Sequence, residues 1–248
     1  MDTTPLRGRS SKLPPLQVGK GEIELQGIRL RGVLRRISGT IPGGSRLAII
    51  GDNGAGKSTL LQVIARLVDP DRGKVLIDGQ DIRRCNLASV REAIGIVSPD
   101  LPLFKGSVRY NLQYRKPDAS AEELSRVREL CKIDSLLEQL QDGEDFRIKE
   151  GGVNLSLGQR HKLALARAIL GQPAILIIDE IDANLDSQAI LVLEDVLNAF
   201  SGTVLMVSRF EDRLAMADYY WHLKDGKLDA VTESAPDTAC MPSQSNDP

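Results

Sequence analysis

Eight consecutive residues, Gly51-Asp52-Asn53-Gly54-Ala55-Gly56-Lys57-Ser58, carry the clearest chemical signal in this 248-residue chain. They fit the pattern G-x-x-x-x-G-K-[ST] and lie between an apolar run, Leu47–Ile50, and a stretch with helical spacing from Thr59 onward. The chemistry is phosphate binding. Glycines let the loop close tightly with its backbone N–H groups turned inward at phosphate oxygens. The helix that follows presents the positive end of its dipole to the same anion. Lys57 then reaches the terminal phosphates as a compact cation, and Ser58 can set its hydroxyl on Mg²⁺.

A second chemical signal lies far along the chain, where Ile175-Leu-Ile-Ile178 runs into Asp179-Glu180. Two carboxylates at the C-terminal end of a buried parallel strand stand where open α/β sheets bind their ligands. Beside a phosphate loop, the first acid holds Mg²⁺ and the second polarises the water that attacks a γ-phosphate. Taken alone, the pair also reads as a strand ending in a solvated acidic turn.

These groups need elements to position them, and the hydrophobic pattern supplies candidates. Leu47–Ile50, Ala174–Ile178 and Thr203–Val207 are short, nearly continuous apolar runs, the mark of strands buried on both faces. Thr59–Val68 has helical spacing with Pro70 just beyond it, and Ser187–Phe200 reads as a helix ended by Gly202. The strand–helix–strand rhythm predicts an α/β fold with a parallel core. Glu22–Leu25 and Val75–Asp78 alternate apolar and polar residues, as half-exposed antiparallel strands do. From Ala121 to Leu140 the pattern is helical and charged, with Leu124, Val127, Leu130 and Ile133 on one face; this predicts a helical insert standing off the sheet. Residues 1–20 and 232–248, rich in Pro and polar side chains, are expected to be mobile tails around a domain at 21–231.

Composition narrows the classes. The chain is 42% hydrophobic but only 4% aromatic, and its net charge is −2, so no global field draws it to nucleic acid or anionic lipid. Cys85, Cys131 and Cys240 show no metal-ligand spacing. No apolar stretch approaches the ~18 residues of a membrane span, and no leader is visible. Of the two histidines, His161 reads as a surface residue and His222 as part of a Tyr219–His222 strand with edge packing.

Between the two chemical motifs lies Leu155-Ser-Leu-Gly-Gln159, followed by Arg160 to Leu170. Its order and spacing relative to the phosphate loop and the acidic pair resemble the signature of ATP-binding cassette proteins, over residues 21–230. Ser156, Gly158 and the helix that begins there would form a second phosphate clamp. The resemblance implies a P-loop NTPase (RecA-like) core with an antiparallel β subdomain and an α-helical subdomain at about 98–165. It implies ATP and Mg²⁺ as cofactors, with residues 51–59 on the nucleotide, Ser58 and Asp179 on the metal, and Lys57, Glu180 and a switch residue in catalysis. It also implies a dimer in which Ser156, Gly158 and Gln159 of one subunit, aligned by Asp186 in Asp182-Ala-Asn-Leu-Asp186, close over ATP held by the other. Leu87 to Asn111 and Glu150-Gly-Gly-Val-Asn-Leu-Ser156 resemble exporter cassettes in particular. A transporter subunit would then work on the cytoplasmic face of a membrane, with permease domains on a separate chain.

Three positions depart from that pattern. Pro99 stands where a γ-phosphate-sensing glutamine is expected, Arg209 where a histidine is expected, and Leu30 where an aromatic residue would stack on adenine. Proline offers no side-chain donor or acceptor, and arginine cannot act as a base at neutral pH. An ATPase with slow turnover is therefore the leading expectation. The alternatives are a soluble cassette ATPase acting on a macromolecular assembly, and a non-catalytic ATP-binding regulatory subunit. Direct nucleic-acid binding is not expected.

Overall fold

The computed structural model describes residues 12–99, 102–179, 187–207 and 216–233. The chain opens with strand β1 (Ile23–Leu30), β2 (Leu34–Ile41) and β3 (Arg46–Ile50). Helix α1 (Lys57–Ile64), β4 (Arg72–Ile77), β5 (Gln80–Asp81), α2 (Leu87–Ala93) and β6 (Ile94–Val97) follow. The middle contains a two-residue hairpin, β7 (Gly106–Ser107) with β8 (Arg147–Ile148), and helices α3 (Val108–Gln113), α4 (Ala121–Leu130), α5 (Ile133–Leu137) and α6 (Leu157–Ile169). The last third is β9 (Ile175–Asp179), α7 (Ser187–Ala199), β10 (Thr203–Val207), β11 (Tyr219–Lys224) and β12 (Lys227–Thr232).

The larger sheet has the order β12-β11-β3-β10-β9-β6, with only β12 antiparallel to its neighbour. All five residues of β9 and of β10 are buried, which is why both read as unbroken apolar runs. Alternation along these strands divides them between two cores. Ile175, Ile177, Leu205, Leu47 and Ile49 face α1 and the antiparallel sheet. Leu176, Ile178, Val204, Met206 and Ala48 face α3 to α7. The smaller sheet has the order β2-β1-β4-β5, with Ile23 opposite Ile77 and Leu25 opposite Val75, as the alternating pattern requires.

Several boundaries differ from the sequence reading. Helix α1 starts two residues earlier than Thr59 and stops at Ile64, because Arg66 adopts a left-handed conformation (φ 53°). Its buried side chain donates to the carbonyls of Ile82 (2.5 Å) and Cys85 (2.9 Å), so a charged group fixes the helix end that hydropathy extended to Val68. The helical insert is broken at Lys132 (φ 52°), giving α4 and α5 in place of one helix to Leu140. Ser120 and Glu123 form a reciprocal capping box that starts α4.

Of the expected N-terminal tail, residues 12–20 are held against the body. Asn86 N donates to Pro14 O (2.8 Å), Leu16 N to Ser89 Oγ (2.8 Å), and the N–H groups of Gly19, Gly21 and Glu22 converge on the Asp78 carboxylate. Leu16 is buried in the same core as β1. Residues 1–11, and residues 234–248 of the expected C-terminal tail, lie outside the described residues; Thr232 closes β12. The Tyr219–His222 strand is not an edge: β11 lies between β3 and β12.

Trp221, 1% exposed, joins the two sheets. Its ring lies over Gly39 of β2, where an added Cβ would stand 2.9 Å from the ring. Trp221→Ala should lower the unfolding free energy by about 3–5 kcal/mol in urea titration, the range for deleting a buried aromatic side chain. A loss below about 1 kcal/mol would contradict this joint.

Candidate functional site

The chain leaves β3 at Ile50 and enters α1 at Lys57, so the phosphate loop spans the C-terminal edge of a central parallel strand and the start of a helix. Gly51 (φ 144°) passes so close to the Leu223 carbonyl that a Cβ there would overlap it. Gly56 (φ 99°) caps α1 from the left-handed region, and its missing Cβ leaves room for the Leu34 side chain. No side chain caps the helix at Gly56 and its first turn carries no acid, so the positive end of its dipole suits an anion.

Asp52, Asn53 and Gly54 are exposed, while Ala55 and Gly56 are buried beneath them. Lys57 Nζ folds back over the loop and donates to the carbonyls of Gly51 (2.7 Å) and Asp52 (3.0 Å). Thr59, half-buried, follows in the first turn of α1. The loop is braced from outside: Gly226 N, in the turn after β11, donates to Ala55 O (3.2 Å), and Gly226 O accepts from Arg35 N (2.6 Å).

Asp179 ends β9 with 6% exposure, opposite Val207 on β10. Ser58 Oγ donates to Asp179 Oδ1 at 3.0 Å, joining residues 121 positions apart. A hydroxyl and a carboxylate meeting beside a phosphate loop are the hard oxygen donors that Mg²⁺ takes, with waters and phosphate oxygens completing its shell. The donor set therefore fits that ion. Ser98, just past β6, shares a cavity of about 300 Å³ with Asp179, whereas Pro99 beside it is exposed. Leu30 ends β1, half-buried, and lines a cleft with Gly32 and Leu34. Glu180, Asp186 and Arg209 lie outside the described residues.

The signature residues form a separate group at the start of α6. Ser156 and Gln159 make a capping box: Ser156 Oγ accepts from Gln159 N (3.2 Å), and Gln159 Oε1 accepts from Ser156 N (2.9 Å). Gln159 Nε2 continues to Gln139 (3.1 Å), and Gly158 is buried. The structure thus joins Ser58, next to Lys57, to Asp179, and gathers Ser156, Gly158 and Gln159 into a second cap at the start of α6. His161 beside them is half-buried.

Two positioning residues were not visible in the sequence pattern. Arg167, 6% exposed near the end of α6, donates to Pro102 O (3.2 Å) and lies over the Phe104 ring at 5.1 Å. Asn111, fully buried in α3, accepts from Phe104 N (2.8 Å) and donates to Phe104 O (2.9 Å). Together they pin residues 102–104. Burial holds Arg167 below the usual guanidinium range and, with the Arg167 charge adding to the effect, pulls Arg115 down to about 10. Arg115 therefore stays protonated at neutral pH. Arg115 donates to the carbonyls of Ile94 (2.5 Å) and Glu92 (3.0 Å), fastening the end of α3 to β6.

A parallel sheet with a glycine-rich loop, a lysine on the following helix and an acid on the neighbouring strand defines a P-loop NTPase domain, here with an antiparallel β sheet and a helical layer. The family model described as "ABC transporter" matches residues 34–183. The chain belongs to that family, whose domains bind ATP. It is 36% identical over 224 residues to the "Iron-sulfur clusters transporter atm1, mitochondrial" of Aspergillus fumigatus, covering 86% of this chain and 31% of the relative. It is 37% identical over 200 residues to a "Multidrug efflux ATP-binding/permease protein" of Mycobacterium bovis, covering 80% of this chain and 17% of the relative. A solved bacterial Atm1-family ABC exporter with ATP bound superposes with a TM-score of 0.84 at 30% identity, covering 91% of this chain and 41% of that one. The chain thus spans about a third or less of these curated relatives. Among the described residues no helix is long and apolar enough to cross a membrane.

If Ser58 and Asp179 hold the metal, Asp179→Asn should weaken nucleotide binding in the presence of Mg²⁺ by about tenfold or more, and change it little in EDTA. Calorimetric titration in both buffers checks this. Equal losses with and without Mg²⁺ would remove the metal role.

Proposed function

We propose that this chain is the ATP-binding and ATP-hydrolysing subunit of an exporter-type transporter, working with membrane-spanning domains that these residues do not include. The observation that carries the reading is the joined set of loop, Lys57, Ser58 and Asp179 at the C-terminal edge of a parallel sheet, in a chain that superposes on an ATP-bound exporter. Residues 51–59 hold the nucleotide, with Lys57 on the terminal phosphates and Mg²⁺ held at Ser58 and Asp179. Glu180, next along from Asp179, orients the attacking water.

The signature cap explains why one chain is half of a site. Its Ser156 hydroxyl, Gly158 backbone and helix N-terminus meet an anion that the same chain's loop does not bring to them, so a second cassette subunit supplies the nucleotide. Asp186 aligns that dimer. The pair of subunits sits peripherally on the cytoplasmic face of a membrane. ATP binding closes the dimer; hydrolysis or release reopens it.

Turnover at the chain's own site is slow. Pro99 is exposed and has no group to give the γ-phosphate, and Ser98 beside it lines the same cavity as Asp179. Arg209 donates to a phosphate oxygen but cannot accept a proton. By analogy with the loss of one preorganised donor, turnover falls about 10²–10³-fold. The same feature supports a second reading, in which the chain binds ATP without hydrolysing it and lends its signature to a more active partner.

Two measurements separate these readings. ATP turnover by the purified chain should rise with protein concentration and vanish in Glu180→Gln. Binding with no turnover at any concentration would leave the regulatory reading. Arg209→His should raise turnover above wild type, by up to about tenfold, if the histidine position limits the rate. A fall in both Arg209→His and Arg209→Ala would instead make Arg209 a working catalytic residue.

A further inference from the structure

The smaller sheet carries exposed charge that is no part of the phosphate loop, in a cleft that Leu30 also lines. β1 pairs with β2 on one side and β4 on the other, and in both ladders the partner of Arg29 is an arginine: Arg35 on β2 and Arg72 on β4. Directly opposed residues share a face with their Cβ atoms about 4.5–5.5 Å apart, so three guanidinium side chains stand in a row across three strands. The β1–β2 register shifts between Ile28 and Arg29, where Arg36 is the extra residue, with φ 64°. That bulge leaves Arg35 and Arg36 both exposed, where regular alternation would turn one of them inward.

With Arg31 and Lys227, these side chains line a concave surface of about 560 Å³. All six cations are exposed, and among the described residues none of them takes part in an ion pair. The one carboxylate in the cleft, Asp71, accepts from Arg31 N at 2.6 Å. Six cations against one carboxylate is a strong local excess on a chain whose net charge is −2.

Like charges directly opposed on a ladder destabilise a sheet, so the row weakens β1 unless an anion fills it. Five of the six cations are arginines, whose planar forks engage phosphate oxygens in pairs. The charge density selects among anions. Carboxylates on one face of an extended peptide repeat only about every 6.6 Å, from two residues at ~3.3 Å each. Consecutive phosphates of an oligophosphate are closer together and carry more charge. The cleft also adjoins the nucleotide loop: Arg35 N reaches Gly226 O, and Gly226 N reaches Ala55 O.

We propose that the Arg35–Arg29–Arg72 row is a second anion site, taking a soluble oligophosphate and distinct from the phosphate loop. The test uses the whole chain carrying Lys57→Ala, which removes the cation of the loop, and inorganic tripolyphosphate as probe. Calorimetry should show saturable binding that weakens as salt rises. Adding Arg29→Ala and Arg72→Ala should lower that affinity about tenfold or more. In anion-free buffer the arginine variants should melt at or above the temperature of their parent, since a repulsion has been removed. The rise in melting temperature given by tripolyphosphate should be lost in them.

Absence of binding to the Lys57→Ala chain would overturn the proposal, and so would binding that ignores the arginine substitutions. A lower melting temperature in anion-free buffer would show the arginines to be structural and overturn it too. Co-sedimentation with cardiolipin-doped phosphatidylcholine vesicles without tripolyphosphate binding would assign the row to a lipid surface instead. Failure of the loop reading shows separately, as Mg-ATP binding unchanged by Lys57→Ala alone.

Discussion

Everything at this site depends on one constraint: a short loop must aim its backbone N–H groups at a single point without side chains to hold it in shape. Glycine provides the conformations and leaves the loop without internal packing. The fold answers by bracing the loop from three sides. Leu223 closes against Gly51, Gly226 bonds Ala55, and Leu34 fills the space beside Gly56. The two sheets are therefore connected through the loop as well as through Trp221. Lys57, bonded to the carbonyls of Gly51 and Asp52, spans the loop it belongs to.

The same sheet serves two different needs on its two faces. One face packs α1 and the antiparallel strands, and fixes the loop. The other packs the helical layer, which carries the signature cap at one end of α6 and Arg167 at the other. Arg167 and Asn111 tie that layer to the backbone at 102–104, while Ser98 lines one cavity with Asp179. Two buried polar side chains thus fix residues 102–104 to the helical layer.

The fold and the core of the site were legible in the sequence wherever pattern and chemistry coincide. β9 and β10 are unbroken apolar runs because both their faces are covered, and β1 and β4 alternate because only one is. Lys57 and Ser58 stand out by the spacing of the glycine-rich motif and Asp179 by its place at the end of an apolar run, and the structure sets Ser58 against Asp179. The breaks were not legible. Arg66 and Lys132 sit in left-handed conformations with nothing local to announce them, and the hydropathy around each continues the helix. The docking of residues 12–20 rests on N–H groups meeting Asp78, a contact made over some 60 residues. The Asp225-Gly226 pair marks a hairpin in the sequence, but its bond to Ala55 exists only in three dimensions. The arginine row depends on register across three strands, which no linear pattern reveals.

The central claim is that the chain holds its nucleotide by the phosphate loop. Calorimetric titration of Mg-ATP into the wild-type chain and into Lys57→Ala tests it most directly. The account requires one saturable site in the wild type that weakens about tenfold or more in the variant, with the melting temperature of the free protein unchanged. Equal affinity in the two proteins would place the nucleotide elsewhere and contradict the account.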